Sequence, residues 1–222
     1  MDIKGSFRRF TNYVNDTVEN LMRRYGLYDI GPDAIGIDPS LSGTGIGGYN
    51  GLSRDGRQVI GVSPETLYGG EPLYREVAQH EAAHELLPIR LISGLVAFTK
   101  KGIVNISTLL AEADVMRTMV NDLGHRLDDI QGYQKIREGL YQLGTKIASV
   151  VGGAENLYKL ARERGSEGLA NLINGNKSLK SSIADFLSKY DPHTLQNYGM
   201  LYGNNFGLTR LTLCPAYAPR GR

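Results

Sequence analysis

Apolar residues recur at threes and fours over most of this chain, and the rhythm breaks where glycine becomes frequent. That change constrains the fold more than any other feature. Over residues 6–25, Phe7, Phe10, Val14, Val18, Leu21 and Tyr25 mark one helix face, and Gly26 stops the pattern. Residues 126–190 repeat the helical spacing in several segments, divided at Gly152-Gly153, at Gly165 and at the NGNKS turn. Between them, residues 30–70 carry short apolar runs instead. AIGID (34–38) and QVIGVS (58–63) read as strands, separated by the turn-rich SGTGIGGYNG and SRDG. Gly43, Gly45, Gly47 and Gly48 are followed by no lysine at phosphate-loop spacing, so they are expected in a hairpin or surface loop. The fold class expected is α+β, mostly helical, with a small sheet that includes antiparallel pairing and a helical C-terminal extension.

A chain of 222 residues suits one medium domain, or a smaller one with an extension. The division expected is a core over 1–124 and, over 125–222, a helical extension with an irregular tail from Asp191. The 25 basic and 23 acidic residues leave a net charge of +2, which argues against dedicated nucleic-acid binding. A single cysteine, Cys214, excludes an internal disulfide and fits a reducing compartment. MDIKGSFRRF has no signal-like apolar run, and the run Leu91–Phe98 is too short to cross a bilayer. A soluble cytoplasmic protein without membrane partners is expected.

A helix is expected over about 72–87, with Pro72 near its start and Pro88 ending it. Its last part reads QHEAAHELLP. Residues four apart share a helix face, so His80 and His84 point the same way and can reach one tetrahedral metal ion. Glu81 stands beside the pair, where a carboxylate can accept a proton from a metal-activated water. By ordinary residue frequencies such a string arises by chance on the order of once in a few hundred chains this long. The plain alternative is a solvated helix face, but two of the chain's four histidines fall in this one motif.

A catalytic zinc needs a third protein ligand and an open position. An extended motif with a third histidine is closed, because Leu87 and Arg90 occupy the relevant positions. A carboxylate from a later helix is the other route. Residues 89–105 read equally as helix or buried strand, and 107–123 as a helix with Ser107 as N-cap and Gly124 as its stop. Glu112 in LLAEADVM is the best candidate for the third ligand. Asp114 is the alternative on another face, and Asp122 and His125 at the helix end are weaker ones.

The residues QVIGVSPETL, YREVAQHEAAHELL and LLAEADVM resemble the small gluzincin metallopeptidases, including the minigluzincins and the ImmA/IrrE-type proteases. The likeness covers roughly residues 55–120. It implies a zincin-like core, Zn2+ held by His80, His84 and Glu112, and Glu81 as general base and acid. It also implies a protein or peptide substrate bound as an added strand along a sheet edge near Gln58–Ser63. Many members carry an aspartate four residues after the ligand glutamate, where this chain has Met116. The leading expectation is a zinc-dependent endopeptidase. A second is a regulatory or interaction protein that keeps the fold, with 126–190 binding a partner; a third is a helical domain with an accidental motif. Tyr198, Tyr202 and His193 are remote candidates for stabilising an oxyanion, and Cys214 for an inhibitory zinc ligand.

Overall fold

The computed structural model describes residues 2–28, 30–202 and 213–215. The fold is α+β and mostly helical. Its contacts divide it into two units, residues 1–88 with 118–125, and 89–117 with 126–222.

The first unit begins with α1 (Ile3–Tyr25), which buries Phe10, Val14, Val18 and Leu21 along one stripe. Gly26 ends it in the left-handed region at φ 62°, where a side chain would be strained. Three strands follow: β1 (Ala34–Ile37), β2 (Gly48–Leu52) and β3 (Gln58–Val62). They lie in the order β1-β3-β2, with β1 parallel and β2 antiparallel to β3. The expected strands β1 and β3 are present, but β3 is central and paired on both sides. The substrate edge expected near Gln58–Ser63 is therefore closed, and the outer strands are β1 and β2. Strand β2 has two glycines among five residues and no apolar alternation, so its pairing with β3 creates it.

After α2 (Pro64–Tyr68), helix α3 (Glu71–Ala83) packs on α1. Arg9 Nε donates to Tyr74 Oη at 2.8 Å, and Tyr13 Oη donates to Glu71 at 2.5 Å, which fixes α1 against α3. Helix α3 stops a turn before Pro88. The amides of Glu85 and Leu86 turn to the carbonyls of Ala82 and Ala83, three residues back, which tightens the chain into a final turn.

In the second unit, the ambiguous stretch resolves into a short helix α4 (Ile89–Ile92) and a hairpin, β4 (Leu95–Thr99) and β5 (Gly102–Asn105). At the hairpin turn Lys101 Nζ donates to the carbonyls of Leu187 and Tyr190 at 2.5 and 2.6 Å. Helix α5 (Ile106–Asn121) follows directly. Its N-terminal cap is Asn105, whose side-chain oxygen accepts from the Thr108 amide at 3.2 Å. Ser107, expected in that role, is buried and bridges the Ile92 carbonyl and the Leu95 amide at 2.6 and 2.9 Å. Gly124 ends the helix segment as expected, at φ 75°.

Helices α6 (Arg137–Val150), α7 (Ala154–Gly175) and α8 (Lys177–Lys189) pack on one another through residues such as Leu143, Ile147, Leu157, Ile173 and Ile183. Gly165 divides α7 as expected: its non-helical angles of φ 55° and ψ −148° set a kink between two helical segments. The described part of the tail is more regular than expected. It contains α9 (Pro192–Asn197), β6 (Leu201–Tyr202) and β7 (Leu213–Pro215), and the two strands complete a sheet of order β6-β5-β4-β7. This pairing explains why the contacts do not divide the chain at 124. The β4–β5 hairpin finds its partners in the last residues, so 89–117 groups with them. Among the described residues no helix is long and apolar enough to cross a membrane.

Candidate metal centre

Helix α3 starts at Gly70 with Pro72 in its first turn, where an amide would lack a helical partner anyway. It buries Tyr74, Ala78, Glu81 and Ala82 along one side. His80 and His84 are half-buried. His84 lies just beyond the helix, yet keeps helical backbone angles of φ −60° and ψ −21°. The spacing that puts both imidazoles on one face therefore survives the early helix end. The two rings meet edge to face with centroids 5.1 Å apart.

Glu112 of α5 joins them. The ligand atoms of His80, His84 and Glu112 all lie within 4.8 Å of one another, the one such group among the described residues. Glu112 is 9% exposed. Two imidazole nitrogens and one carboxylate oxygen form a donor set that zinc takes in catalytic sites, and three protein ligands leave a fourth position open. Tetrahedral zinc with ligands at about 2.0–2.1 Å wants donor atoms about 3.4 Å apart. The donor types match that ion and the atoms lie within 4.8 Å of one another, so the residues fit it.

The other candidates for third ligand are engaged elsewhere. Asp114 is buried, receives Arg117 Nε at 3.1 Å and accepts from the Tyr158 hydroxyl at 3.2 Å. Asp122 pairs with Arg24 at 3.0 Å and accepts from Tyr25 Oη at 2.6 Å. His125 Nε2 lies 2.9 Å from Gln79 Oε1. Tyr198 stacks on Tyr133, Tyr202 Oη accepts from Asn105 at 2.7 Å, and His193 Nδ1 lies 3.3 Å from the Asn197 amide. None of these three contacts brings its residue to the cluster. The backbone of Cys214 pairs opposite Val96 in the sheet, and its side chain lies outside the described residues.

Glu81 is 5% exposed, and β2 approaches its carboxylate. A Cβ on Gly48 would stand 3.2 Å from Glu81 Oε1 and 2.9 Å from a Val77 methyl, so the glycine leaves room for the carboxylate. Two residues on, Asn50 Nδ2 donates to the Glu81 carbonyl at 3.0 Å and to Glu85 Oε1 at 2.6 Å. Gln58 in turn donates to Asn50 Oδ1. Between them on the strand, Tyr49 faces the other way. Burial, and then the Asp38 carboxylate beside it, raise its phenol above the ordinary value. Gly48, Asn50, Gln58 and Glu85 carry no sequence motif. The only signal was Glu85 itself, a carboxylate set before the apolar pair Leu86-Leu87.

No protein-family model, no curated protein and no solved structure matches this chain.

Proposed function

We propose that this chain is a zinc-dependent endopeptidase that hydrolyses peptide bonds in a protein or peptide substrate. The observation that carries the reading is the grouping of His80, His84 and Glu112 within 4.8 Å, with Glu81 next to His80 near the end of α3. When bound there, zinc would supply Lewis-acid polarisation of the scissile carbonyl and a water acidic enough to react near neutral pH. His80, His84 and Glu112 hold the ion. Glu81 takes the proton from the attacking water as its oxygen bonds to the carbonyl carbon. It then delivers that proton to the nitrogen as the C–N bond breaks. The low exposure of Glu81 keeps bulk water from competing for its carboxylate.

An extended substrate can pair with an outer strand. Strand β2 is the better candidate, because Asn50 ties it to the Glu81 end of α3, whereas β1 lies on the far side of β3. The lone cysteine suits a cytoplasmic setting for the enzyme.

Metal analysis of protein purified without chelators tests the reading, together with cleavage of fluorescein-labelled casein. The wild type is expected to hold stoichiometric zinc, and His84→Ala to lose it. Glu81→Gln is expected to keep zinc and lose roughly a hundredfold or more in rate. A wild type without zinc sinks the proposal. Full activity in Glu81→Gln removes Glu81 from the mechanism.

A further inference from the structure

We infer that Asn50 is a positioning residue for the second histidine of the cluster, gripping the chain on both sides of His84. The inference rests on the metallopeptidase reading for the identity of the ion. In an uninterrupted helix the Glu81 carbonyl would receive the amide of Glu85, four residues on. Here that amide goes to Ala82 instead, at 3.1 Å, and the Glu81 carbonyl receives Asn50 Nδ2 at 3.0 Å. The same NH2 group donates its second hydrogen to Glu85 Oε1 at 2.6 Å. His84 lies inside the segment spanned by these two bonds.

The amide of Asn50 is itself oriented. Its oxygen accepts from Gln58 Nε2, and Gln58 is fully buried on the central strand. Residues 50 and 58 sit diagonally across the β2–β3 ladder, on the face turned toward α3. Glu85, at the far end, is also fully buried. Buried polar groups in a chain of this kind have one satisfied arrangement, and leaving a member unpaired is costly. The turn at His84 is therefore held by hydrogen bonds of fixed direction, which sets where its imidazole stands relative to that of His80. Groups that orient metal ligands from outside the coordination sphere typically account for 10–100-fold in metal affinity.

The decisive substitution is Asn50→Asp, which keeps volume and the acceptor for Gln58 but removes the donor. A carboxylate then faces the Glu81 carbonyl and the Glu85 carboxylate. Zinc affinity is measured by competition with a chromophoric chelator, and site geometry by the visible absorption of the Co2+-loaded protein. Asn50→Asp is expected to weaken zinc about 10–100-fold and to alter the Co2+ spectrum. Adding Glu85→Gln restores a donor facing the introduced carboxylate, so the double variant is expected to recover much of the affinity and the wild-type spectrum. Asn50→Ser replaces Asn50→Asp if the latter does not fold, with the same loss of affinity expected.

Wild-type affinity and spectrum in Asn50→Asp, or in Asn50→Ser, overturn the inference while leaving the metallopeptidase reading intact. So does a folded double variant no better than Asn50→Asp. A wild type that takes up no zinc overturns both.

Discussion

Gly144 of α6 lies against α5 where no side chain fits. A Cβ there would run into the Ala113 carbonyl oxygen, and would stand 2.7 Å from its carbonyl carbon and 3.1 Å from Arg117 Cβ. Carbon atoms in contact settle at about 3.5–4.0 Å, so relieving the carbon contact alone requires roughly 0.8 Å of separation between two helical backbones, and the nearer oxygen requires more. Overpacking costs about 1–3 kcal/mol, and a clash with rigid backbone takes the upper part of that range, about 2–3 kcal/mol. Alanine's helix propensity offsets about 1 kcal/mol of that. The net loss of about 1–2 kcal/mol corresponds to a fall of about 2–8 °C in melting temperature for a chain of this size. The displacement also reaches Glu112, the residue before Ala113. Metal–ligand distances tolerate only about 0.2 Å, so zinc affinity is expected to fall with stability. Thermal melting and chelator competition on the same preparation measure both. Gly175→Ala is the control: no atom lies within 4 Å of its added Cβ, and its melting temperature should hold or rise slightly. A Gly144→Ala protein that melts at or above the wild-type temperature with unchanged zinc affinity refutes the packing argument.

Lys101→Met keeps the apolar stem but removes the ammonium from the carbonyls that end α8. A loss of about 1–2 kcal/mol is expected from the urea midpoint, and an unshifted midpoint would show the contact to be idle. Hydrogen bonds from the Thr194 hydroxyl and amide hold the Asp191 carboxyl below its ordinary value. Such a group contributes stability above its unfolded pKa near 3.9, and loses it as pH falls through the lower folded value. Asp191→Asn should therefore melt with a shallower pH dependence below about pH 4 than the wild type. Identical acid limbs would contradict it.

Helical spacing revealed α1 and the α6–α8 region, because each of those helices buries one face and its pattern is local. The strands β1 and β3 were legible as short apolar runs between turn-rich segments. Strand β2 was not, since glycine and asparagine acquire strand geometry there only by pairing with β3. Strands β6 and β7 also depend on partners a hundred residues away in the hairpin. Ser107 and Asn105 are both good caps by type, and the choice was made by burial: Ser107 is needed between α4 and β4. Pro88 predicts the end of α3 at residue 87, whereas the chain leaves the helix one turn earlier, with Asn50 bonded to the Glu81 carbonyl there. His80, Glu81 and His84 could be singled out because the chemistry demands a fixed spacing on one helix. Glu112 could be favoured over Asp114 by position, but only the buried Arg117 and Tyr158 show why Asp114 is committed elsewhere. Asn50 was invisible, because a residue that acts through a tertiary hydrogen bond leaves no spacing to read.

Helix α5 carries three unrelated obligations within six residues. Glu112 turns to the histidines, Ala113 lies under Gly144, and Asp114 and Arg117 are locked to Tyr158. Inserting or deleting one residue rotates everything beyond it by about 100°, which would break several of these at once. The segment from 112 to 117 is thus expected to be inherited as a block of fixed length, while the turns around it vary. Distant kin of this chain should be found by that interval, taken together with His80-Glu81 and His84, when overall similarity has already faded.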